Sequence, residues 1–130
     1  MEMILDFLKS CGTFYLATSE GGQPRVRPFG AVTAYEGKLY FVTNNKKELF
    51  KQLLDNSSFE ISGMSKDKWI RLSGEAVHDD NLAAREKMLE TYPPLTKMYA
   101  ANDGIMEVFY IANATAKICS MTGEPEVIQF

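Results

Sequence analysis

The chain has 130 residues, 45% of them hydrophobic and 24% charged, with a formal net charge of −3. That size and balance imply a single globular domain over residues 1–130, large enough to bury its own core. They exclude a general attraction for nucleic acid, so any bound anion must be held locally, and no run approaches the ~20 apolar residues of a membrane span.

In chain order, residues 2–10 place Met3, Ile4, Phe7 and Leu8 at helical spacing, and Gly12 stops the helix. Thr13 to Thr18 is rich in β-formers and runs into a tight turn at Ser19-Glu20-Gly21-Gly22. Gln23 to Tyr35 reads as one strand, with Pro24 and Pro28 marking an edge or a bulge. After a turn at Glu36-Gly37, Lys38 to Thr43 is a third strand, and this opening reads as an antiparallel meander. Lys47 to Asn56 puts Leu49, Phe50, Leu53 and Leu54 on one helical face.

Phe59 to Met64 and Lys68 to His78 are two further strands. Asp79, Asp80 or Asn81 can cap a helix that runs to Tyr92 and ends at Pro93-Pro94. A short helix is expected over Leu95 to Ala101, then a long strand from Met106 to Met121 and a closing strand from Glu124 to Phe130. Six or seven antiparallel strands with inserted helices predict a partly open barrel of the α+β class.

The chain has one His and two distant cysteines, Cys11 and Cys119, with no CxxC pair. A metal centre is therefore not expected. A disulfide stays open, with free thiols in a reducing compartment the simpler reading. Met1 to Ser10 has neither a basic start nor a long apolar run, so no signal peptide is expected and the cytoplasm is the expected location.

Three stretches carry candidate chemistry. In Arg25-Val26-Arg27-Pro28-Phe29 the alternation puts both guanidinium groups on one strand face. Two such cations repel unless an anion lies between them, and their forked donors suit a phosphate. Taken alone, two solvated arginines on an edge strand is the simpler reading. Thr43-Asn44-Asn45-Lys46-Lys47 sits where a strand becomes a helix. A helix N-terminus repels lysines, so two of them there favour a bound anion over an empty cap, although, taken alone, a capped helix with surface lysines is an equal reading. The two stretches lie one hairpin apart, and adjacent antiparallel strands can bring them together. In the third stretch Trp69 and Arg71 share a strand face, where Trp69 can stack on a planar cofactor or pack in a core or dimer contact. His78 beside Asp79 and Asp80 reads as a surface or capping residue, and Tyr92, Tyr99, Phe109 and Tyr110 read first as core aromatics, with a pocket or interface as the alternative.

At these residues the chain resembles the pyridoxamine 5′-phosphate oxidase-like family, the FMN-binding split barrels, and in particular its short members. The matching segments are FYLATSEGGQPRVRPFG, LYFVTNNKKELFKQL, WIRLSGEAV and VFYIANATAKI, in that order along nearly the whole chain. The resemblance implies a homodimer with two FMN sites shared between subunits and a small-molecule substrate. It implies that Val26 and Arg27 line the flavin and reach its phosphate, with Pro28 and Phe29 beside the ring. Thr43, Asn44 and Lys47 would hold the phosphate and ribityl chain, and Trp69 would lie near the flavin. The oxidase proper has a C-terminal substrate region with no counterpart in these residues, so oxidation of vitamin B6 is not expected. The expected function is an FMN-dependent oxidoreductase. The rival is a non-catalytic protein that stores, carries or senses flavin, or a related cofactor such as haem or deazaflavin.

Overall fold

Alternation along the strands decides which side chains meet. In β1 (Phe14–Glu20) Phe14, Leu16 and Thr18 turn inward and are buried, while Tyr15 is half exposed on the outer surface. The computed structural model describes residues 1–130. Its remaining elements are α1 (Glu2–Cys11), β2 (Gln23–Phe29), β3 (Val32–Tyr35), β4 (Lys38–Asn44), α2 (Glu48–Asp55), β5 (Ser58–Ser65), β6 (Lys68–Asp79), α3 (Leu82–Thr91), a 3₁₀ turn (Pro93–Lys97), β7 (Met106–Ser120) and β8 (Glu126–Gln129).

All pairings are antiparallel, in the order β2-β1-β5-β6-β7-β4-β3, with β8 on β7. Long β7 is flanked along one half by β4, paired at Met106 to Tyr110, and along the other by β8, paired at Thr115 to Ile118. The curled sheet closes over a core that includes Phe14, Leu16, Phe41, Ile61, Leu72 and Phe109, and α1 inserts Ile4 and Leu8 into it at 0% exposure. On the other side of the sheet, α3 buries Ala84 and Met88 against Tyr40, Met106 and Val108. No helix is long and apolar enough to cross a membrane.

The antiparallel α+β architecture follows the sequence reading, with two differences. There are eight strands rather than six or seven, because the run from Gln23 to Tyr35 breaks at Gly30. The two halves then part: β2 pairs only with β1, and β3 pairs only with β4, so they form the two ends of the sheet order. The opening is therefore two separate hairpins and not a meander. Gly30 passes close to the α1 terminus, where an added Cβ would meet Gly12 O at 3.4 Å. The β1–β2 turn is the two-residue Gly21-Gly22, both at positive φ (55° and 85°), as a tight hairpin requires. The helix expected over 95–101 is instead the 3₁₀ turn, which begins at Pro93 because proline's fixed φ suits a first helical turn.

Candidate functional site

The seam of the barrel leaves two strand edges without strand partners. β3 covers β4 only from Lys38 to Phe41, so Val42, Thr43 and Asn44 bond to β7 alone. β2 bonds to β1 alone. Between these edges lies a groove, lined by Arg27, Pro28 and Phe29 on one side and by Thr43, Lys47, Glu48 and Leu49 on the other. It continues past Gly30 and Ala31 into an apolar lobe walled by Val42, Leu95, Met98 and Tyr99.

Arg27 lies opposite Leu16 in the ladder and shares its inward face. Its guanidinium donates to Leu16 O at 3.1 Å, to Thr18 Oγ1 at 2.9 Å and to Gln52 Oε1 at 2.8 Å. Every one of these acceptors is neutral. Burial, and after it the charge of Arg25, holds the Arg27 pKa below its usual value. It remains a cation at any physiological pH. Arg25 is different: it pairs with Glu20 at 3.1 Å on the exposed end of the hairpin.

Across the groove, the Thr43 side chain is 3% exposed, and its hydroxyl has no hydrogen-bond partner. An orphan hydroxyl in the wall of a groove costs free energy unless something there completes it. Beside it, α2 begins after Lys47 with no side chain capping its free N–H groups. Lys47 itself is exposed and lines both the groove and the lobe. One end of the groove therefore gathers the Arg27 and Lys47 cations with the Glu48 carboxylate, and the other is a mainly apolar slot.

The neighbouring amides have structural work. Asn44 Oδ1 accepts the Lys46 N–H at 3.0 Å, and its Nδ2 donates to Tyr99 Oη at 2.7 Å. Asn45 Nδ2 donates to Gly104 O at 2.8 Å and Glu107 Oε2 at 3.0 Å. Glu107 in turn meets His78 Nε2 at 2.8 Å, beneath the Phe50 ring of α2. These bonds fasten the β4–α2 turn to the start of β7.

Of the residues singled out in the sequence, Arg27, Pro28, Phe29, Thr43 and Lys47 meet in one groove. They meet because the barrel closes, and not because β2 and β4 pair. Arg25, Val26, Asn44, Asn45 and Lys46 flank it without lining it. Trp69 and Arg71 lie on the outer face of β6, since Ile70 and Leu72 turn inward. Trp69 sits beside Met64 and Cys119, and Arg71 makes an exposed pair with Glu60 at 3.8 Å. Within one chain neither reaches the groove. The lobe residues Leu95 and Met98 were missed as site residues, and Tyr99, a pocket or interface aromatic by its type, read first as core. Their sequence signal is an i, i+3, i+4 spacing after Pro93-Pro94, which reads as the apolar face of the expected short helix rather than as the wall of a site.

Residues 1–117 match the family model described as pyridoxamine 5′-phosphate oxidase. A NimC/NimA family protein from Clostridium acetobutylicum is 53% identical, with a TM-score of 0.97 over 100% of this chain and 92% of that one. General Stress Protein 26 from Bacillus anthracis has a TM-score of 0.79 at 16% identity, over 99% of this chain and 97% of that one. A heme binding protein from Mycobacterium smegmatis has a TM-score of 0.74 at 15% identity, over 95% of this chain and 55% of that one. At such identities the last two establish a shared fold alone. No curated protein matches the chain.

Proposed function

The chain belongs to the pyridoxamine 5′-phosphate oxidase family, and from that premise we propose that it binds FMN in the seam groove and acts as an FMN-dependent oxidoreductase on a small molecule. The observation that carries this reading is the Thr43 hydroxyl, buried and unpartnered on a residue of the groove wall that Arg27 and Lys47 also line. A phosphate would accept from that hydroxyl, from the uncapped N–H groups of α2 and from both cations. The residues present therefore fit the phosphate end of FMN, and Pro28, Phe29 and the apolar lobe offer a dry surface to a planar ring.

Bound FMN supplies the electron-transfer chemistry, and the protein supplies placement and electrostatics. Arg27 holds a positive charge at the groove that its own neighbours leave uncompensated. Pro28 and Phe29 exclude water from one wall. The Asn45–Glu107–His78 chain of hydrogen bonds keeps the cradle turn in place. A homodimer belongs to the same proposal, because Trp69 can approach a flavin only from a second copy. A cytoplasmic setting belongs to it as well, supported by two unpaired cysteines.

The test is a visible spectrum of the purified protein before and after FMN is added, followed by titrations with FMN and riboflavin. Flavin bands and binding at least about tenfold tighter for FMN than for riboflavin are expected, since charge-assisted bonds to phosphate contribute ~1.5–3 kcal/mol each. Equal affinity for the two would remove the phosphate cradle. A Soret band would move the assignment to haem. Failure to turn over a reduced pyridine nucleotide with any acceptor would favour a flavin carrier.

A further inference from the structure

The Asn44–Tyr99 hydrogen bond has a fixed direction. Asn44 Oδ1 accepts the backbone N–H of Lys46 at 3.0 Å, and a backbone N–H can only donate. The other end of the amide is therefore Nδ2, which can only donate, and it faces Tyr99 Oη at 2.7 Å. The phenol oxygen is the acceptor in this bond, so its own proton must go elsewhere. No acceptor in the chain receives it. Tyr99 lines the lobe beside Leu95, Met98 and Val42, which offer it no hydrogen-bond acceptor, while Thr43 and Lys47 line the same lobe where it meets the groove.

We propose that Tyr99 donates a hydrogen bond to an acceptor oxygen of a planar, uncharged group seated in this lobe. Asn44 is then a positioning residue that dictates which way the phenol proton points. The apolar stretch beside Tyr99 suits a flat, neutral group, and the phenol donor suits one with a carbonyl-type oxygen. Two sources carry that chemistry: the ring of a flavin whose phosphate lies at Arg27, or a second small molecule such as a quinone. The inference rests on the flavin reading for the first source only.

The test measures affinities of the wild type, Tyr99→Phe and Asn44→Asp for riboflavin, for FMN, and for 2-methyl-1,4-naphthoquinone with and without FMN. Tyr99→Phe removes the donor and keeps the ring. Asn44→Asp keeps the tie to Tyr99 but reverses it, because a carboxylate accepts the phenol proton and draws it out of the lobe. Both variants should lose about three- to tenfold in affinity for a neutral ligand, the range of one hydrogen bond. A fall for riboflavin and FMN by one common factor in Tyr99→Phe places the acceptor on the flavin ring. A fall confined to the quinone places it on a second molecule. Loss of affinity in Tyr99→Phe with wild-type binding in Asn44→Asp would overturn the proposal, because only the structural tie would then matter. Unchanged affinities in both would overturn it too. If wild type binds no FMN, the flavin reading fails by itself, and the quinone titration still judges Tyr99.

Discussion

Replacing Arg27 with Met keeps most of the side-chain stem and removes the charge, and the structure sets the size of the result. In the free protein three hydrogen bonds disappear, to Leu16 O, Thr18 Oγ1 and Gln52 Oε1. The damage is limited, because Thr18 Oγ1 still donates to Gln52 Oε1 at 2.6 Å. The expected loss of stability is therefore about 1–2 kcal/mol, or on the order of 4 °C in Tm per kcal/mol for a chain of this length. The loss in FMN binding should be larger in proportion, at ~10- to 150-fold for one charge-assisted contact. Wild type at a free FMN concentration of 100 times its Kd gains about 2.7 kcal/mol. A variant binding about thirtyfold more weakly would gain only about 0.9 kcal/mol under the same conditions. Thermal melts with and without FMN, beside a riboflavin titration, measure each quantity. An Arg27→Met protein that loses riboflavin and FMN affinity by the same factor would refute the argument, since the guanidinium would then not be reading the phosphate.

Light scattering at micromolar concentration should give about twice the chain mass of 14.6 kDa. Trp69→Ala should raise the monomer fraction and weaken FMN modestly, at a stability cost well below the ~3–5 kcal/mol of a fully buried Trp. A purely monomeric wild type would defeat the shared site, and unchanged FMN affinity in the variant would remove Trp69 from it. Asp103 accepts the N–H groups of Met106, Ile105 and Ala100, and the first two bonds do most to hold its pKa below the usual carboxylate value. A depressed folded-state pKa stabilises above the unfolded value, and that contribution is lost as pH falls through the folded one. Urea midpoints should show Asp103→Asn weaker than wild type at neutral pH, with the gap closing in acid. A gap independent of pH would refute this.

Strand identities were legible wherever alternation was clean, as in Phe59 to Met64 and Lys68 to His78, where one face is buried and the other wet. The break at Gly30 was not legible, because both flanks of it are good strand sequence and only the closure of the barrel decides which partner each takes. The same non-local event limited the site. Arg27 and Thr43 stood out locally, as an arginine beside a second arginine and as a strand end before two lysines. That their side chains meet depends on the two ends of the sheet order coming together, which no spacing encodes. Asn44 and Asn45 show the converse. Their composition suits a ligand, but their hydrogen bonds are taken by residues more than fifty positions away, at Tyr99 and Glu107.

One part of the seam can nonetheless be read from residue types alone. An unpaired strand edge invites another strand, and chains blunt such edges with proline. Pro24 and Pro28 are four apart, so their backbones face the same edge of β2. Neither has an N–H to give β1, which places them where the backbone turns away from β1 and toward the groove. Val26 lies midway between them and faces the same edge, so it is the single N–H donor that these three residues present there. Such an edge cannot template a full ladder, yet it keeps one backbone donor free for something other than a strand. Proline, any residue, any residue, any residue, proline in an otherwise β-forming run therefore marks a protected edge. The cations set between those prolines indicate what the edge has been protected for.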